Sequence, residues 1–305
     1  MDIMVVIDQM VMLFTIIIIG YIVKKTEFVT GDFQKKLSSF LLKVTVPLLI
    51  ISSASQADSS RAGQRVPLTF LIAVLVFLVL PFMGSLIGRL LRVPQDERSV
   101  YKFMTVFSNL SFMGFPVIAS IFGTDAVIYA VIFNLVFNMV QFTYGVMLFK
   151  GERLTFDPKV FLTPVIVSSV LGIIIFITGF TVQGPLGLAF ESVGGITTPS
   201  AMLVIGFSLA DIPIREAFSD VRLYLFTFIK QVLLPVAAYF ILKIFIHDEL
   251  ILGVSVIIIA MPVATMAVIL ANQYDRHTSL ATRGVFLTTL ASVVTIPLIT
   301  WLLPF

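Results

Sequence analysis

The sequence contains no cysteine. Disulfides, thiol nucleophiles and cysteine-ligated zinc or iron–sulfur centres are therefore excluded. Histidine is almost as scarce: His247 and His277 are the only two, and both stand beside charged residues between apolar runs. Charge is thin as well, 12% of 305 residues, where a soluble domain carries about 25%. No polar stretch is long enough to fold as a soluble domain. No GxxxxGK[ST] segment occurs, so ATP-driven transport is not expected. No apolar run holds a histidine, paired aspartates, or a serine near a base, so an intramembrane hydrolase lacks its groups. The expectation is a protein that is not an enzyme, with no cofactor and no metal site. The start, "MDIMVVIDQMVMLF", has neither a basic n-region nor a small-residue cleavage site, and reads as a retained first span rather than a signal peptide.

What is abundant is apolar surface. Hydrophobic residues make up 58% of the chain, and the mean hydropathy is +1.08. This is the composition of an integral membrane protein. A helix crossing the bilayer needs about 20 mostly apolar residues. Ten runs qualify, near 3–23, 34–55, 66–89, 99–122, 125–149, 160–181, 190–210, 221–246, 250–273 and 281–303. Runs such as "FTIIIIGYIV" and "VSVIIIAMPV" do not alternate apolar with polar, as barrel strands would. The expected fold class is all-α, with ten transmembrane helices.

The net charge of +3 reflects topology rather than nucleic-acid binding, and no nucleic-acid partner is expected. Fifteen Lys and Arg residues lie on one side, in the loops after spans 1, 3, 5, 7 and 9. They include Lys24, Lys25, Arg89, Arg92, Lys150, Arg153, Lys159, Arg215 and Arg276. Only Arg61, Arg65 and Lys243 lie on the other. Cationic loops stay cytoplasmic, so both termini should face outside, in the plasma (inner) membrane.

Ten spans divide into two sets of five. Because five is odd, the second set enters from the opposite side, and homologous halves would form an inverted repeat. The expected halves are 1–150 and 151–305. Prolines support the pairing: Pro47 with Pro199, Pro81 with Pro235 and Pro116 with Pro262, at separations of 152, 154 and 146 residues. Most of these prolines can be simple kinks. Pro116 and Pro262 differ, because Pro116 follows Gly114 and Pro262 precedes Thr265, near mid-span. Proline removes a backbone donor and clashes with the preceding turn. Two helices opened at matching depth would turn backbone dipoles toward a ligand, with half-helix N-termini for an anion and freed carbonyls for a cation.

"NLSFMGFPV" resembles the Asn-x-x-x-x-Gly-x-Pro segment of the auxin efflux carrier family, which includes plant auxin exporters and bacterial malate or malonate permeases. "MPVATMAVILANQYD" is similar to its ninth-helix segment, "LTTLASVVTIP" to its tenth, and the proline of "FLLKVTVPLL" to that of its second. The resemblance covers the whole chain, without the long central loop of the plant members. It implies a bile-acid-symporter-like fold of two inverted five-helix repeats, with broken helices 4 and 9 crossing at mid-membrane. It further implies a scaffold of helices 1, 2, 6 and 7, often dimeric, and a moving part of helices 3–5 and 8–10. Asn109, Pro116 and Pro262 would line the substrate site.

The candidate binding residues are Asn109, Ser111, Gly114, Pro116, Pro262 and Thr265 at the two openings, with Asn134, Asn138 and Gln141 in span 5 and Lys230 in span 8. Asn109 and Ser111 can equally serve interhelical hydrogen bonds. Asn134, Asn138 and Gln141 recur at spacings of four and three, one helix face, which suits either a structural seam or a pathway wall. Lys230 lies some eight residues inside its span, where a charge suggests function unless its stem snorkels to the interface. Lys43 is nearer that interface. No Asp or Glu lies near any span centre, which leaves the coupling ion open. The expected function is secondary active or facilitative transport of a small organic anion, an auxin-like monocarboxylate or a malate- or malonate-like dicarboxylate. The alternatives are an anion-selective channel and a sodium-coupled symporter.

Overall fold

The structure is a computed structural model that describes residues 3–57, 59–151, 162–211 and 220–303. The cations Arg153, Lys159 and Arg215, used above for orientation, lie outside the described residues, as do residues 160 and 161 at the start of the sixth run. Among the described residues the secondary structure is helical, with no strand beyond one isolated bridge.

The helices follow the apolar runs: α1 (Ile3–Lys25), α2 (Gly31–Gln56), α3 (Gln64–Leu90), α4 (Arg98–Val106), α5 (Leu110–Phe122), α6 (Thr124–Lys150), α7 (Pro164–Thr178), α8 (Gly184–Ala210), α9 (Val221–Phe245), α10 (Glu249–Ala260), α11 (Met266–Gln273) and α12 (Thr278–Leu302). Six of them, α2, α3, α6, α8, α9 and α12, are long and apolar enough to cross a membrane; α5, α7 and α10 are shorter apolar helices. Polar residues between the runs start several of these helices. Asp248 accepts from the N–H groups of Leu250 and Ile251 at 3.1 and 3.3 Å. Asp220 accepts from Arg222 N at 2.9 Å, and Thr30 from Phe33 N at 3.3 Å. These are N-cap bonds that satisfy otherwise orphaned donors. Gly179 ends α7 with φ of 65°, a conformation open to glycine without strain.

Three of the prolines inside these helices share a signature. Wide π turns occupy Leu41–Thr45, Leu110–Gly114 and Ile229–Leu233. Each ends two residues before a proline: Pro47, Pro116 and Pro235. Proline has no N–H for the carbonyl four residues back, and its ring crowds that carbonyl. A widened turn just upstream relieves the clash without breaking the helix.

The described residues gather into two compact units. Unit 1 holds those of Met1–Phe70, Ser111–Leu135 and Pro158–Asp211; unit 2 holds those of Leu71–Leu110, Val136–Asp157 and Ile212–Phe305. In unit 1, α1 packs along α8, and the second half of α2 packs on α7 and on the start of α8. The α1–α8 crossing is close because glycines face each other. A Cβ at Gly206 would meet the Ile17 carbonyl oxygen, with Tyr21 N at 2.7 Å and the Gly20 Cα at 2.9 Å. Such small-residue contacts bring helix backbones together where lipid offers no hydrophobic drive. Lys24 pairs with Asp211 at 3.5 Å where these helices end.

In unit 2, α12 packs against α4, α9, α10 and α11. A Cβ at Gly284 would overlap the Met104 sulfur, so α12 and α4 also meet through a glycine. Aromatic rings fill the remaining space: Phe103 lies 4.5 Å from Phe107 and 5.2 Å from Phe149, and Phe107 lies 5.6 Å from Phe137, centroid to centroid.

Candidate functional site

The two helix breaks meet inside unit 2. After α4 the backbone turns extended at Phe107, with φ −105° and ψ 103°. After α10 it does so at Met261, with φ −58° and ψ 145°. The latter is the conformation favoured before a proline, and Pro262 follows. The two extended stretches lie antiparallel, with Ser108 opposite Val263. The Asn109 N–H donates to the Pro262 carbonyl at 2.7 Å, and the Ala264 N–H donates to the Phe107 carbonyl at 2.9 Å. Two helices that stop short thus satisfy each other's freed backbone groups, as an apolar interior requires.

The remaining groups of the second break are satisfied by side chains. In an unbroken helix the Ile259 carbonyl would accept from Val263 N–H. Here that N–H donates instead to Thr288 Oγ1 at 3.1 Å. The Thr288 hydroxyl passes its own proton to the Gly284 carbonyl at 2.7 Å. Gln231 Nε2 donates to the Thr288 carbonyl at 2.9 Å, and Thr295 Oγ1 donates to Gln231 Oε1 at 3.3 Å.

The Ile259 carbonyl receives the Lys230 ammonium. Lys230 is 1% exposed. Its Nζ donates to Ile259 O at 2.7 Å, to Ser108 Oγ at 2.9 Å and to Met261 O at 3.3 Å. An ammonium has three protons, and all three are engaged. Among the described residues no Asp or Glu is buried. The Lys230 amino group therefore sits at the C-terminal, negative end of α10, which favours its protonated form. Lys230 does not snorkel.

The sequence-derived residues fall into both units. Asn109, Pro262, Thr265 and Lys230 belong to unit 2, around the paired stretches; Asn109 is 5% exposed, and Thr265 is half-buried at the start of α11. Asn138 and Gln141, in the second part of α6, are also in unit 2, half-buried and buried. Ser111, Gly114, Pro116 and Asn134 belong to unit 1. There the Ser111 hydroxyl donates to Asn134 Oδ1 at 3.4 Å, and Asn134 is wholly buried.

The first opening does not lie at Gly114 and Pro116. It lies at Phe107–Asn109, and Gly114 is helical at φ −61° and ψ −50°. Pro116 sits in the first turn of the α-helix that follows the π turn, a position proline tolerates because its missing N–H matters least there. Sequence reasoning also missed Ser108, Gln231 and Thr288. The available signals were a second polar residue beside Asn109, a glutamine beside an in-span lysine, and a threonine pair in the tenth run. Unit 1 has a cleft of about 370 Å³ bordered by Ser52, Gln56, Gly187 and Glu191. It contains none of the candidate residues, and the charge and the opened backbone lie elsewhere. Among the described residues no cluster of metal-ligating side chains occurs.

The sequence matches the family described as Membrane transport protein over residues 5–160 and 156–300. The chain belongs to that family, the auxin efflux carriers. This carrier is 24% identical over 296 residues to an uncharacterized transporter of Methanothermobacter thermautotrophicus, covering 93% of each chain. It is 22% identical over 307 residues to the uncharacterized transporter YfdV of Escherichia coli, covering 96% of each. A protein provisionally named a malonate transporter in Rhizobium meliloti is 21% identical over 300 residues, covering 93% of the carrier and 91% of the relative. The carrier is thus an integral membrane transporter.

Proposed function

We propose that this carrier moves a small organic anion by secondary or facilitated transport and binds it at the paired helix breaks of unit 2. The observation behind this reading is the buried amino group of Lys230, with no buried carboxylate among the described residues. Protonating a lysine in a low-dielectric interior is costly, and an anion arriving beside it offsets that cost. Lys230 has no proton left for direct contact. The contacts fall instead to the Asn109 amide and to the Thr265 hydroxyl at the start of α11, where the helix dipole also favours negative charge.

The wider reading is an elevator. Unit 1, which contains α1, α2, α7 and α8 with most of α5 and the first half of α6, acts as the scaffold and as the surface for a homodimer. Unit 2 contains α4 and α9–α12 and carries the bound anion across. Residues 1–150 and 151–305 are read as inverted repeats, in a plasma membrane with both termini outside. The interleaved membership of the units supports this, because each draws on both halves of the chain.

Malonate, taken from the name of one relative, is the first anion to test, with malate and indole-3-acetate beside it. The purified carrier in proteoliposomes should show saturable uptake of one of these acids and counterflow when preloaded with it. Unsaturable, conductive flux would make the protein a channel and end the carrier reading.

A further inference from the structure

The surroundings of Lys230 Nζ have the chemistry of a cation site. Two backbone carbonyls and one hydroxyl converge on a single point, at 2.7, 3.3 and 2.9 Å from the nitrogen. All three are neutral, hard oxygen donors of the kind that replace the hydration shell of an alkali cation. None is a carboxylate, so a divalent ion, with twice the charge to desolvate, is disfavoured. The oxygens do not depend on Lys230 for their position. Met261 and Ile259 flank the break set by Pro262, the Val263 N–H is tied to Thr288, and Ser108 is fixed by the Asn109–Pro262 and Ala264–Phe107 bonds on either side.

We propose that this cluster is a seat for one monovalent cation, filled by the protonated amino group of Lys230. The cation is tethered through the side chain to α9 and cannot dissociate. The charge opposite the anion site is therefore built in, and the protein needs no metal cation to complete it. Deleting the ammonium while keeping the oxygens should turn the seat into a binding site for free sodium. This inference uses the same break as the anion reading but does not depend on an anion binding there.

The test needs no organic acid. Thermal unfolding of the purified carrier is followed in sodium chloride, lithium chloride and potassium chloride against choline chloride at equal ionic strength. The parent protein should give the same midpoint in all four. Lys230→Ala, which empties the space around the oxygens, should gain a saturable stabilisation by at least one alkali cation. The midpoint should rise by about 3 °C at ten times the dissociation constant. Lys230→Met, which refills the space without charge, should gain none. A parent midpoint that rises saturably with an alkali cation overturns the proposal without any variant. So does a folded Lys230→Ala that responds to all four salts alike. If Lys230→Ala does not fold, Lys230→Ser is measured in its place under the same criterion. A positive cation result with no organic acid bound by the parent would leave this proposal standing and remove the anion reading.

Discussion

Thr288 gives the sharpest measure of how the second helix break is held. Thr288→Val keeps the branched shape and removes the oxygen that accepts the Val263 N–H at 3.1 Å. Both residues are fully buried, so water cannot take over. A buried donor left without a partner costs about 1–3 kcal/mol. The Gly284 carbonyl loses the hydroxyl as a donor, yet it keeps the Thr288 backbone N–H of the helix ladder, so little is added there. The new methyl returns at most ~0.8 kcal/mol. The net loss is about 1–2 kcal/mol, which for a chain of this size lowers the unfolding midpoint by roughly 2–6 °C. The assay is thermal unfolding of detergent-purified protein, with Thr288→Ser beside it. The serine keeps the acceptor and should recover most of the loss. If the valine variant melts with the parent, or the serine variant falls as far as the valine, the Val263–Thr288 bond is not what holds the break open.

Other expectations follow from the same geometry. Asn109→Ala should weaken binding of the transported anion at least tenfold while expression, membrane insertion and midpoint stay near the parent's; isothermal titration of the purified protein decides it. Lys230→Met should reduce anion binding further, because a unit charge at ~6 Å in an effective dielectric of ~20 is worth about 3 kcal/mol; unchanged binding would show that the charge does not face the ligand. Gly206→Ala should destabilise unit 1 by about 1–3 kcal/mol, since its Cβ runs into the backbone of α1, and a thermal melt indistinguishable from the parent's would contradict the close crossing. Lys24→Met should shift the midpoint by less than the equivalent of ~1 kcal/mol, because its partner Asp211 is half exposed.

Long apolar runs made the helices legible, and Pro262 marked the second break to within a residue of its start at Met261. The first break was legible only as a region. Pro116 pointed to itself, but a proline reports a missing donor, and the first turn of a helix has no use for that donor. The chain opens at Phe107–Asn109 instead because Pro262 and Ala264, more than 150 residues away in sequence, bond to it there. No local pattern carries that information. Lys230 stood between two readings in the sequence, an interfacial snorkel and a buried charge. What separates them is whether oxygens wait inside, and those oxygens belong to Ile259 at the end of α10 and to Ser108 and Met261 in the two breaks. The composition of the units was equally hidden, since α3 and α6 each begin in one and end in the other.

The wide turns before Pro47, Pro116 and Pro235 also have a consequence for phase. A π turn holds one residue more than the α turn it replaces, so everything beyond it is rotated by about 100° relative to a regular helix. In α9 that extra residue lies within Ile229–Leu233, the stretch that contains Lys230 and Gln231. A helical wheel drawn straight through Val221–Phe245 therefore assigns the wrong side to one end. It also makes the wide turn an insertion that can be undone. Removing one residue from 229–233 together with Pro235→Ala would restore an unbroken register, turn one half of α9 against the other, and carry the lysine away from its three oxygens.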